Sequence, residues 1–416
     1  MRLIPVAYLA SYTLSLLGNS VAGVALPLIV LQTTGSALGA GWVAAATAVP
    51  AVLAGLFMGV VIDRINRRTS SVVTDLVSAG AVAALPVVDA VSGLELGWFV
   101  LFGIVGSLGD VPGMTARDAL LPAIVRHSGV SAERLMGARE ALGAVALLAG
   151  PAAAGTLMAL FDGSTVLWLT AATSLGAALI TLAIPHRVGV IDTATDGGSA
   201  RPAGSSWRQF VAGWRVLTGS RFLTTVTLIS VTSVFVLAAL QGLVLPVYFL
   251  DAGRPEQVGF VLTAIAAGML LGAGTYAMAG PRASRRFWLL TGVAGTTAGF
   301  AVVAGLVAPW TVFAGAFLVG AFSGVSGSLL GVLMIERVPE AFRGRVMGTQ
   351  NAITTAAPPA GIMLAAVLTE YGSVRVAAVA VAAVWLVAAI VTLRSQALRT
   401  VDSTSAPSEE VSMSAQ

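Results

Sequence analysis

Among the acidic side chains that stand inside, or at the edge of, long apolar runs, Asp75, Asp110 and Glu140 are the candidates for chemistry. A charge near the centre of a bilayer-spanning helix costs on the order of 2.5–3.5 kcal/mol on insertion scales, so each such acid is a functional candidate by default. Asp110 is the deepest. It belongs to Gly109-Asp110-Val111-Pro112-Gly113, where glycine and proline loosen a helix. A carboxyl held there can take up and release a proton; the competing role is a structural pair with Arg117, two turns along. Asp75 lies about two turns from the inner end of its run, within reach of an ion pair with Arg64, Arg67 or Arg68, or of a place in a proton relay. Glu140 opens a later run, where a proton-coupling role and plain interfacial solvation are both open.

Other chemistry is excluded by residue type. The chain has no cysteine, so thiolate metal sites, disulfides and cysteine nucleophiles are ruled out. All 23 basic residues are arginine, and without lysine no GxxxxGK[ST] phosphate loop can form. His127 and His186 are isolated, both in expected loops, and make no ligand set. Neither a cofactor nor a metal is expected.

The elements that must position these acids are membrane helices. Of 416 residues, 57% are hydrophobic and 10% charged, against about 25% charged in a soluble domain. Apolar segments near 5–31, 39–62, 69–91, 96–116, 140–160, 164–184, 222–249, 257–279, 287–307, 309–335, 346–369 and 374–393 are each long enough for a span of about 20 residues. Runs of this length are helices, because lipid offers backbone polar groups no partner; a barrel would need ten-residue alternating segments. With both termini placed in the cytoplasm, 21 arginines fall inside and two, Arg254 and Arg375, outside. A basic module for nucleic acid is not indicated, since the arginines fall in short clusters between apolar runs.

The chain divides into 1–186, a six-helix bundle; 187–221, a cytoplasmic linker rich in Gly, Ser and Thr; 222–394, a second six-helix bundle; and 395–416, a disordered cytoplasmic tail. The halves echo each other. Arg134-Leu-Met-Gly137 matches Arg345-Val-Met-Gly348, which sets Glu140 against the neutral Asn351. Gly23-Val-Ala-Leu-Pro27 likewise matches Gly242-Leu-Val-Leu-Pro246.

After the second run comes Gly59-Val-Val-Ile-Asp63-Arg64-Ile-Asn66-Arg67-Arg68. Asp63 can accept from the neighbouring arginines, and Gly59 permits close helix approach. The segment resembles the loop 2–3 signature of the major facilitator superfamily, with Asn66 where that pattern has glycine. The resemblance implies a cytoplasmic latch of Gly59, Asp63, Arg64, Arg67 and Arg68, joined by Arg117. Gly150-Pro151-Ala-Ala-Ala-Gly155 is similar to the G-P-x-x-G-G element of exporters in that superfamily, with alanine at the first of the two final glycines. Taken with Gly113-Met-Thr-Ala-Arg117-Asp118 and Arg343-Gly-Arg345-Val-Met-Gly348, the chain resembles Tap-type multidrug efflux pumps, and more distantly macrolide-efflux proteins and siderophore exporters.

That resemblance implies an all-α integral membrane protein of major-facilitator type, with twelve transmembrane helices in two pseudo-symmetric six-helix bundles. It also implies proton-driven drug export by alternating access, with tetracyclines and aminoglycosides the first substrates to test. A proton-linked importer or exporter of a metabolite or siderophore is the alternative. In this superfamily spans 1, 4, 7 and 10 line the pathway, so Tyr12, Asn19, Gln241, Tyr248, Ser323 and Ser326 become cavity candidates beside Asp110. The expected partners are a small-molecule substrate, protons and the lipid bilayer of the plasma membrane, with the protein a monomer and both termini cytoplasmic.

Overall fold

A computed structural model describes residues 3–62, 65–190, 214–215, 217–338 and 340–395. Among the described residues, twelve helices are long and apolar enough to cross a membrane. They are α1 (Leu3–Thr34), α2 (Ala37–Ile62), α3 (Arg67–Ser92), α4 (Leu96–Ser128), α5 (Ala132–Leu160), α6 (Gly163–Leu182), α7 (Arg221–Asp251), α8 (Gln257–Ala279), α9 (Arg285–Gly305), α10 (Pro309–Arg337), α11 (Glu340–Tyr371) and α12 (Val374–Arg394). No strand occurs among the described residues.

The expected spans and the helices agree in number and order but not in length. α4 runs 33 residues, about 50 Å at 1.5 Å per residue, well beyond a hydrocarbon core of about 30 Å. The sequence places its end near residue 116, just before Arg117 and Asp118; the helix continues through both and through Pro122 and ends at Gly129, which takes a left-handed φ of 71°. A helix that leaves the membrane has no reason to stop at the first charge. His127 is therefore helical rather than in a loop, its Nδ1 2.9 Å from the Ala123 carbonyl. Polar caps mark several other starts: Ser131, Asp162, Ser220, Ser284 and Ser373 each accept from the backbone N–H three residues on.

Two compact units form. The first comprises Met1–Ala203 with Phe249–Phe260, the second Gly204–Tyr248 with Val261–Gln416. In the first, α3 packs on α4 and α6, α2 on α4, and α1 on α5 and α6; in the second, α9 packs on α10, α7 on α11, and α12 on α7, α9 and α11. Small residues let these helices touch. Gly268, Gly272, Gly320 and Gly324 bring the backbones of α8 and α10 into contact, leaving no room for a side chain at any of the four positions. Residues 191–213 of the expected linker and the tail from 396 onward lie outside the described residues.

Candidate functional site

Asp75 and Ser78 are one turn apart on α3 and both are buried. Asp110 and Arg117 are two turns apart on α4. The two helices approach closely because α4 carries glycine where they meet: a side chain at Gly109 would collide with Ser78 Oγ and the Thr74 carbonyl, and one at Gly113 would press on Thr74 Oγ1 at 3.0 Å. That approach brings two polar rungs together. Arg117 Nη2 donates to both carboxylate oxygens of Asp75 at 2.5 Å, and Ser78 Oγ donates to Asp110 Oδ1 at 2.6 Å.

The two acids sit in different surroundings. The Asp75–Arg117 pair is sealed, with side-chain exposures of 5% and 4%. Such a pair stands only because each charge answers the other; removing one partner leaves an uncompensated buried charge. Arg117 Nε, also buried, has no acceptor among the described residues. Asp110, about 21 Å along α4 from Leu96, is exposed at the helix surface. An ionisable group at that depth faces a watered path or the bundle interior, not lipid.

These placements revise the expected pairings. Asp75 does not pair with Arg67 or Arg68. Arg68 Nη2 donates to the Leu182 carbonyl at 2.6 Å, and Arg67 opens α3; Asp75, two turns further in, faces α4. Nor is Arg117 the ion-pair partner of Asp110, because its guanidinium is taken by Asp75. Asp63 and Arg64 lie outside the described residues, as does the surrounding of Gly59 on α2. Asn66 ties two segments together. Its Oδ1 accepts from the N–H groups of Arg68 and Thr69, capping α3, while its Nδ2 donates to the His186 carbonyl at 3.0 Å.

A second cluster, which the sequence does not reveal, forms on α1, α4 and α5. Arg139 Nη2 donates to Asp118 Oδ1 at 2.5 Å, and its guanidinium lies over the Tyr12 ring, 4.8 Å from the centroid. Tyr12 stacks in turn on Tyr8, centroids 6.4 Å apart. Tyr12 is thus buried beneath an arginine rather than open to a cavity. Glu140 is 72% exposed and, among the described residues, pairs with its neighbour Arg139 at 3.3 Å. The one signal in the sequence was the run Arg117-Asp118 on one helix and Arg139-Glu140 on another, whose arginines also serve topology.

Of the remaining cavity candidates, Asn19, Gln241, Tyr248 and Ser323 are half-buried. Ser326 is buried inside the α9–α10 contact, its Oγ occupying the space beside Gly292, so it does not line an open face. Gln241 sits in a π-helical turn, Leu240–Val244, that interrupts α7. No metal-holding group of three or more His, Cys, Asp or Glu occurs among the described residues.

Gly150, Pro151 and Gly155 lie on α5. A side chain at Gly150 would strike Ser20 of α1. Gly155 meets the Glu256 carbonyl and Gly259 Cα, and Gly259 meets the Pro151 carbonyl, so this stretch touches residues 256–259 backbone to backbone. Only glycine at 155 and 259 permits that approach.

Comparison with known proteins gives the family and the fold. The family model of the Major Facilitator Superfamily matches residues 8–253 and 229–413. The chain is 33% identical over 391 residues to the multidrug efflux pump Tap of Mycobacterium tuberculosis, covering 92% of this chain and 91% of that protein. To the Tap pump of Mycolicibacterium fortuitum it is 29% identical over 399 residues, 94% of this chain and 95% of the other. The crystal structure of the nucleoside transporter NupG superposes with a TM-score of 0.73 at 13% identity, covering 94% of this chain and 98% of that one. This chain belongs to the major facilitator superfamily of membrane transporters.

Proposed function

We propose that this transporter is a proton-driven exporter of drugs or other small amphipathic compounds, in the plasma membrane with both termini cytoplasmic. Three things support the reading: the similarity to two Tap pumps, the glycine-only packing at Gly150-Pro151-Gly155, and the arginine asymmetry of the loops.

One observation carries the mechanism: Asp110 is exposed deep in α4 beside a sealed ion pair. With all three groups charged, Asp75, Asp110 and Arg117 sum to one negative charge; a proton on Asp110 brings the cluster to neutrality. Asp75 is held by Arg117, so Asp110 is the group free to exchange. Its protonated and ionised forms favour different access states, and Ser78 fixes the carboxylate for the exchange. One proton crossing about 100 mV supplies roughly 2.3 kcal/mol, and half a pH unit adds about 0.7. Together these sustain roughly a 150-fold gradient of a neutral drug at about 1.4 kcal/mol per tenfold.

Tetracycline accumulation in a pump-deficient bacterium tests the reading. Expression of the protein lowers accumulation, and a protonophore restores it. Lowered accumulation that persists with the protonophore would contradict proton drive.

A further inference from the structure

The second bundle has no acid well inside any span, so it must hold a polar substrate by other means. α7 offers one. Between Leu240 and Val244 the helix widens into a π-turn, and the Leu245 N–H donates five residues back, to the Leu240 carbonyl. The next residue is Pro246, which carries no N–H. The Gln241 carbonyl therefore lacks both its i+4 donor, spent on Leu240, and its i+5 donor, which does not exist. No hydrogen bond to the Gln241 side chain occurs among the described residues either, and the residue is half-buried. Two polar groups of one residue are thus unmatched about 15 Å along the helix from Asp251, close to the middle of a hydrocarbon core about 30 Å thick.

Unmatched backbone polar groups are costly in such surroundings, and irregular backbone at membrane depth is tolerated where it is buried in protein or lines a path. Single π-turns inside α-helices occur frequently at functional sites. The turn also packs closely on α11: a side chain at Gly242 would press on the Ile362 side chain at 2.7 Å. The repeat shows that the feature is not a simple consequence of proline. The matching stretch of α1, Gly23 to Pro27, lies within an uninterrupted α-helix and has Ala22 where α7 has Gln241.

Resting on the exporter reading above, we infer that the Gln241 carbonyl, with the Gln241 amide, is a substrate anchor that accepts hydrogen bonds from N–H or O–H groups of the transported molecule. The substrates it favours are protonated amines and polyhydroxylated compounds. The second bundle then recognises a cation or polyol through carbonyl dipoles, without a carboxylate that would compete for the coupling proton.

The test uses the full-length protein in detergent, with tetracycline, streptomycin and ethidium as donor-bearing probes. Gln241→Leu removes the amide, and Pro246→Ala supplies the i+5 N–H that the Gln241 carbonyl lacks. Each is expected to weaken binding about five- to tenfold. Pro246→Ala is also expected to hold or raise the melting temperature, since it satisfies a carbonyl; a structural lesion would lower it. Wild-type affinity in both variants, or weakened binding of Pro246→Ala accompanied by a lower melting temperature, would overturn the inference. If the wild type still lowers drug accumulation in cells, the exporter reading survives that failure. A wild type that neither binds nor exports any of the three probes would overturn both.

Discussion

The hydroxyl of Ser78 donates to Asp110 across 2.6 Å, one turn along α3 from the carboxylate that Arg117 holds. One pair of helices thus carries a fixed charge pair and, beside it, an acid whose partner is neutral. Fixing one acid leaves the other as the group whose charge can change. The division of labour depends on Gly109 and Gly113, which set how near α4 comes to α3.

Arg117→Leu leaves Asp75 buried without its counter-ion, a change that costs about 3–5 kcal/mol where a buried pair is broken. The expected result is a large drop in melting temperature and loss of the monodisperse peak on size-exclusion chromatography. The double variant Asp75→Leu/Arg117→Met recovers most of the stability, since no charge remains buried, but not transport.

Gly259→Ala places a methyl group on the Pro151 carbonyl, and Gly155→Ala places one on the Glu256 carbonyl. Both contacts are with backbone, which cannot swing aside. Each variant is expected to reach the membrane at normal levels and to lose drug export at least tenfold. Gly274→Ala, at a position with open space, serves as the control and retains export.

Asn66→Ala removes the cap of α3 and the tie to His186 at once. A lost cap costs about 1 kcal/mol. The melting temperature falls by a few degrees, and backbone amides of residues 186–189 exchange hydrogen faster than in the wild type. Asn66→Asp keeps the cap acceptor but not the donor to His186, so it separates the two effects.

Glu140→Gln is expected to leave protonophore-sensitive export within twofold of wild type. The side chain is largely exposed and pairs with Arg139 among the described residues, and an interaction of that kind contributes about 0–1 kcal/mol. A tenfold loss in the accumulation assay would return Glu140 to the coupling machinery.

The twelve spans were legible in the sequence because each is a long apolar run and lipid allows only one backbone solution. Asp110 was legible for a related reason: a charge between Gly109 and Gly113 in such a run is costly and conspicuous. The Asp75–Arg117 pair beside it was not. When every face of a helix is apolar, periodicity gives no rotation about the axis, so nothing in the sequence says that Asp75 turns toward α4 and Arg117 rather than toward Arg67 or Arg68. The same blindness placed Ser326 on a cavity wall, when it is wedged beside Gly292. It also hid the stack of Arg139 on Tyr12, whose members lie on different helices. The π-turn at Gln241 left a single trace, Pro246, and the matching Pro27 shows that this trace does not suffice.

The central claim is that Asp110 carries the coupling proton. The direct measurement is drug-driven proton movement in proteoliposomes holding either the wild type or Asp110→Asn, with tetracycline on one side and a pH-sensitive dye trapped inside. The account predicts that the wild type moves protons when tetracycline is added and that Asp110→Asn, folded to the same melting temperature, moves none above the protein-free background. Undiminished proton movement by Asp110→Asn would contradict it.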